Sequence, residues 1–221
     1  RAPGQPLLLL TDVSRDYVAL IEQARVELPG VQVEDLPHRN YLSGTLAAHA
    51  LGYMNQISDK ELEEKKEAGY EAGDYIGRYG LEKQWESYLR GREGVLRYVV
   101  NARGRRLSDA EAVGLIHGER FALPVPGHDL VLTIDVELQR LAERALRNHP
   151  AGGIVVVDVE NGKILAMVSK PAFDPNVMTG HLSRVEAAAM EADPYKPFLD
   201  KTLRQHYYPG STFKFVVAAA A

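Results

Sequence analysis

The chain has 221 residues, enough for one large domain or two modest ones, with a globular composition of 45% hydrophobic and 25% charged residues. A formal net charge of −4 gives no global pull toward nucleic acid, and no basic helix or zinc pattern suggests one. The lack of cysteine excludes disulfides and thiolate chemistry. Seven histidines are scattered without ligand spacing, so a metal site is not expected. No apolar run reaches the ~18 residues that would span a membrane, and there is no signal peptide. The chain opens on "RAPGQPLLLL" without an initiator Met and closes inside an apolar run, so both ends read as cut. A fragment whose membrane anchor has been removed is the expectation.

In chain order, "SRDYVALIEQARVELPG" predicts a helix capped by Ser14, with Tyr17, Ile21, Ala24 and Leu28 on one face and Pro29-Gly30 as its stop. "VQVEDL" alternates as a short strand. "SGTLAAHALGYM" carries Leu46, Ala47, Ala50 and Leu51 at helical spacing. "SDKELEEKKEAG" holds a capping box in Ser58 and Glu61 and ends at Gly69, on a helix that must be mostly wet. In "GLEKQWESYLRG" a stripe of Leu81, Trp85, Tyr88 and Leu89 predicts a core-facing helix.

Residues 91–132 are short β-like runs between glycines. The basic stretch "RYVVNARGRR", with Arg97, Arg103, Arg105 and Arg106, reads as a solvated face or as a contact with anionic lipid or a partner. "FALPVPGHDL" is punctuated by Pro124, Pro126 and Gly127 as a boundary. Beyond it, "LVLTID" predicts a strand and "DVELQRLAERALRNH" a helix with Leu138, Leu141, Ala142 and Ala145 in register. "GGIVVVDVENGKILAMVSKP" predicts two strands joined by a two-residue turn at Asn161-Gly162, and their apolar character suggests a sheet covered on both faces.

The chemistry-bearing stretch is "HYYPGSTFKFVVAAAA", at 206–221. After the Pro209-Gly210 turn, a helix starting at Ser211 would put Lys214 one turn on, on the same face. A serine hydroxyl needs a proton acceptor, and a lysine serves only when part of it is neutral, which burial and a helix N-terminus favour. Phe213, Phe215, Val216 and Val217 supply apolar surroundings, and the helix N-terminus offers N–H groups to an oxyanion. The pair alone is a weak signal: roughly one chain in three of this composition holds a Ser-x-x-Lys by chance, and an N-cap explains Ser211 as well.

Context adds to it. The hairpin "GGIVVVDVENGKILAMVSKPAFDPN" followed some thirty residues on by "YYPGSTFK" resembles the penicillin-binding transpeptidases, whose nucleophile helix opens with Ser-x-x-Lys. "RNYLSGTLAAHALGYM", "GRYGLEKQWESYLRGREG" and "VNARGRRL" are similar to the non-catalytic pedestal of the class B members, above all the elongation-type penicillin-binding protein 2. Leu42 stands where the family often has proline, in a loop without consequence for chemistry.

The resemblance implies an α+β protein: a pedestal, or dimerisation-type domain, over 1–120, then the N-terminal part of a transpeptidase domain over 121–221, an antiparallel sheet flanked by helices. It implies a peptidoglycan D,D-transpeptidase with Ser211 as nucleophile and Lys214 as proton acceptor, acting on the D-Ala-D-Ala end of the stem peptide, inhibited by β-lactams, and without cofactor or metal. It places the whole protein on the periplasmic side of the inner membrane, with a membrane glycosyltransferase and elongation-complex proteins as partners. The family's Ser-x-Asn and Lys-Ser/Thr-Gly motifs lie downstream of the nucleophile and are not in this chain, since "KTL" at 201–203 lies upstream and lacks the glycine. The chain by itself is therefore expected to be inactive, and the rival reading is a docking pedestal. A D,D-carboxypeptidase or β-lactamase would need no such stem.

Overall fold

The computed structural model describes residues 7, 9–10, 13–33, 38–101, 107–108, 113–116, 118, 120–180 and 182–220. In chain order these form α1 (Arg15–Gln23), α2 (Ala48–Leu51), β1 (Met54–Gln56), α3 (Asp59–Glu64), β2 (Tyr75–Gly77), α4 (Gly80–Gln84), α5 (Glu86–Leu89), β3 (Val95–Leu96) and β4 (Phe121–Ala122). Then come α6 (Val136–Ala145), β5 (Gly152–Val157), β6 (Ile164–Lys170), α7 (Pro175–Thr179), α8 (Arg184–Ala192) and α9 (Lys214–Ala220). Contacts gather them into two compact units, Arg1–His38 with Gly91–Pro126, and Arg39–Arg90 with Gly127–Ala221.

In the first unit the Ser14 hydroxyl accepts the Tyr17 N–H and starts α1 as the sequence predicts. The helix stops at Gln23, short of Pro29, and turns carry the chain to Gly30, which takes φ +100. No residue of α1 is buried. Residues 31–33 form no strand, and the rest of "VQVEDL" lies outside the described residues, as do Arg103, Arg105 and Arg106. β3 and β4 pair antiparallel, Val95 opposite Ala122 and Leu96 opposite Phe121.

The second unit holds three small apolar clusters. Ala48, Phe173 and Met178 form one, flanked by Tyr53, Tyr79 and Phe198. Ile57, Tyr70 and Ile76 form another behind the β1–β2 pair, in which Asn55 faces Ile76. Ala142 of α6 packs with Ala166 and Val168 of β6 in the third. α3 opens on the predicted reciprocal capping box of Ser58 and Glu61.

Five expectations are corrected here. The helix of "SGTLAAHALGYM" shrinks to α2, because residues 42–47 are turns and Ala47 sits at φ 54. Its end is fixed by Gly52: a Cβ there would lie 1.8 Å from the Tyr79 carbonyl oxygen, so only glycine permits this approach. Trp85 is not core. It ends α4 and begins α5 at φ −110, ψ 21, and the residue is 44% exposed, its ring edge-on to Tyr88.

"LVLTID" forms no strand; the Thr133 hydroxyl donates to the Ile164 carbonyl and the Asp135 N–H to the Leu165 carbonyl of β6. The β5–β6 turn is longer than two residues. The Asp158 N–H closes on the Lys163 carbonyl at 2.9 Å, the Asp158 carboxylate accepts from Glu160 N–H and the Asn161 amide, and Gly162 takes φ +75. That acidic side chain organises a loop over 159–162 where Asn-Gly alone suggested a tight turn. The strands also differ from each other: β6 is buried on both faces from Ala166 to Ser169, whereas β5 alternates and exposes Val155 and Val157.

Candidate active site

Pro209 and Gly210 turn the chain as predicted, Gly210 at φ +54, but the first turn is 3₁₀ rather than α, over Gly210–Phe213, and α9 proper begins at Lys214. The Lys214 N–H donates to the Ser211 carbonyl, and the Thr212 hydroxyl donates back to the Pro209 carbonyl. In a 3₁₀ turn, side chains three apart eclipse, so Ser211 and Lys214 share a face. No described side chain bonds the two, and every residue from Leu203 to Ala220 is exposed, Tyr208 at 103% and Phe215 at 83%. Tyr207 and Tyr208 are exposed beside the turn, and among the described residues Phe213, Phe215, Val216 and Val217 supply no closed apolar shell around the lysine.

Three of the motifs that carried the resemblance meet in the second unit. Arg39 and Tyr41 of "RNYLSG" both bind Glu82 of "GRYGLEKQ": Arg39 Nε lies 2.8 Å from Oε1 and Nη2 3.2 Å from Oε2, and the Tyr41 hydroxyl donates to Oε1 at 3.2 Å. Burial and the Glu82 carboxylate push the Tyr41 hydroxyl well above its ordinary pKa, so it remains a donor. Asn176 of "FDPN" grips the backbone of Tyr41 from both sides, accepting its N–H at 2.8 Å and donating to its carbonyl at 3.0 Å. Asp174 caps α7, with Pro175 in its first turn, so "DPN" does turn and cap chemistry. Leu42 is exposed in a turn.

Several organising residues escaped the sequence reading. Gln139 is wholly buried, and its amide behaves as an extra strand residue: Nε2 donates to the Met167 carbonyl at 2.9 Å and Oε1 accepts the Met167 N–H at 2.8 Å. That pairing turns α6 so that Leu138, Gln139, Ala142 and Leu146 face β6, while Leu141, expected inward, is 55% exposed. The available signal was a glutamine flanking the apolar stripe, which a helical wheel alone assigns to the boundary. His49 is buried too; its Nε2 donates to the Pro197 carbonyl at 2.7 Å, and burial lowers its pKa. Asp200 and the Lys201 that opens "KTL" are also buried. Among the described residues no cluster of His, Asp and Glu could hold a metal ion.

Residues 2–132 match the penicillin-binding protein dimerisation domain family, and residues 152–221 match the penicillin-binding protein transpeptidase domain family. The chain belongs to the penicillin-binding proteins. It is 34% identical over 215 residues to the peptidoglycan D,D-transpeptidase MrdA of Escherichia coli K12, covering 96% of this chain and 32% of that protein. It is 34% identical over 210 residues to penicillin-binding protein 3 of Bacillus subtilis, covering 95% and 29%. Among solved structures it is similar to the Helicobacter pylori penicillin-binding protein PBP2 in complex with MreC, at a TM-score of 0.74 and 28% identity over 93% of this chain and 36% of that one. Pseudomonas aeruginosa PBP2 in complex with WCK 5153 matches at a TM-score of 0.66 and 30% identity, over 85% and 36%. The chain thus spans about a third of the length of these penicillin-binding relatives, with the α+β architecture of a dimerisation domain leading into a transpeptidase domain.

Proposed function

We propose that the whole protein is a peptidoglycan D,D-transpeptidase. One observation carries the reading: Ser211 and Lys214 stand one turn apart inside the stretch that matches the transpeptidase domain. Ser211 Oγ attacks the carbonyl of the penultimate D-Ala while Lys214 takes the hydroxyl proton. The peptide C–N bond breaks, and the terminal D-Ala leaves as an amine carrying that proton. An amine of a neighbouring stem peptide then attacks the acyl-enzyme ester, forms the cross-link and frees Ser211. Splitting one difficult acyl transfer into two is what a covalent serine provides. β-Lactams acylate the same oxygen.

Residues 1–120 serve as pedestal and 121–221 open the transpeptidase domain. The protein works on the periplasmic side of the inner membrane, anchored there, with a membrane glycosyltransferase and elongation-complex proteins as partners. The relative named as a peptidoglycan D,D-transpeptidase supports the activity, and the neighbour solved with MreC supports an elongation-complex partner. In membranes bearing the full-length protein, fluorescent penicillin labels a band that Ser211→Ala abolishes. An unlabelled wild type, or a label that survives the substitution, sinks the reading.

A second reading concerns residues 1–221 on their own and rests on the exposure of Leu203–Ala220. With Ser211 and Lys214 in solvent, this polypeptide docks partners and does not transfer acyl groups. It then captures an elongation-complex partner while taking no penicillin label.

A further inference from the structure

The last buried residues before Ser211 are Asp200, 1% exposed, and Lys201; from Leu203 to Ala220 every residue is exposed. Among the described residues, 199–202 are the last anchor on the chain leading to Ser211, and a compact polar knot holds them. Asp200 Oδ1 accepts the N–H groups of Thr202 at 2.8 Å and Leu203 at 3.3 Å and the Thr202 hydroxyl, while its carbonyl accepts the Arg204 N–H at 2.9 Å. This is a capped turn, the carboxylate holding its donors as an N-cap holds those of a helix.

Ser169 on β6 straps the turn to the sheet. Its hydroxyl donates to the Leu199 carbonyl at 3.2 Å and accepts the Lys201 N–H at 3.0 Å. Lys201 Nζ reaches the carbonyls of Lys196 at 3.1 Å and Leu199 at 3.3 Å, closing the knot from the other side. On β5 a Cβ at Gly153 would come within 3.1 Å of Thr202 Cγ2, so the bare glycine makes room for the turn. Asp200 Oδ2 is buried and has no partner among the described residues.

We infer that Asp200 is a positioning residue for Ser211: through Oδ1 it holds the turn, strapped to β6 by Ser169, from which the nucleophile segment departs. The inference rests on the transpeptidase reading. It requires only one carboxylate oxygen, so asparagine, which keeps an Oδ1 acceptor, serves in its place.

The test uses the full-length protein and fluorescent penicillin, reading the acylation rate constant at saturating antibiotic separately from the final labelled fraction. Asp200→Ala lowers the rate constant about 10- to 100-fold, the scale of a misplaced reacting atom, and leaves the labelled fraction complete; Asp200→Asn restores most of the rate. A residue that merely stabilises the fold would lower the labelled fraction and leave the rate constant of the remainder unchanged. That outcome overturns the inference, and so does an Asp200→Ala protein acylating at the wild-type rate. Should Asp200→Ala fail to fold, Ser169→Ala decides, since it cuts the strap alone and slows acylation in the same way, whereas an unchanged rate rejects the knot. Ser211→Ala separates the two levels: wild-type label that survives it removes the transpeptidase reading and the inference together, while label lost in it with Asp200→Ala unaffected removes the inference alone.

Discussion

β6 and α9 are both apolar in sequence, "ILAMVSK" against "KFVVAAA", yet Ala166–Ser169 are buried on both faces and no residue of α9 is buried. The difference is in what faces them. β6 has α6 on one side and β5 alongside, and both contacts are pinned by directional bonds: the Gln139 amide on Met167, and a ladder running from Gly152–Lys170 to Val157–Ile164. α9 has no such surface among the described residues. Apolar character sets a demand for cover at about 25 cal/mol per Å²; only polar tethers with fixed geometry specify which surface supplies it. Ser211 and Lys214 lie on the exposed side of this divide, and Asp200 marks its edge.

The contrast can be broken most forcefully at Gln139. Gln139→Leu leaves the N–H and carbonyl of Met167 buried without partners and costs about 2–4 kcal/mol, read as a lower denaturant midpoint. A neutral outcome would mean that apolar cover alone holds β6. A pH effect comes next. Burial holds the His49 pKa below its ordinary 6.5, with Asp200 and Lys201 acting on the ring in opposite directions. The unfolded chain therefore binds a proton that the folded chain refuses, so this contribution is complete above pH 6.5 and declines as pH falls through 6.5 toward the folded pKa. His49→Gln removes that part of the acid sensitivity in thermal melts taken across pH 7 to 5. At the small end, Phe215→Ala changes the stability of this chain by less than about 0.5 kcal/mol, as at any exposed site. A large loss there would show that α9 is covered after all.

Much of the site was legible because it is local. The Ser14 cap, the Ser58–Glu61 box, the Pro209-Gly210 turn and the shared face of Ser211 and Lys214 each need only residues within a few positions. Asp174-Pro175-Asn176 could be read as turn chemistry for the same reason. The family resemblance, carried by motifs in order, reached the dimerisation and transpeptidase domains. Trp85 and Leu141 were misread because a helical wheel assumes an unbroken helix and counts only apolar residues. The break at Trp85 and the polar bond of Gln139 violate one assumption each.

What the sequence determined by itself was therefore the set of caps, turns and nearest-neighbour faces, whose bonds close over three or four residues and are favourable wherever the segment lies. The tertiary structure decided which polar groups go inside. Gln139 meets Met167 across 28 residues, Glu82 meets Arg39 across 43, and Asn176 meets Tyr41 across 135. A buried glutamine or glutamate costs several kcal/mol until its partner arrives, and that partner comes from a distant part of the chain, brought into reach only by the fold.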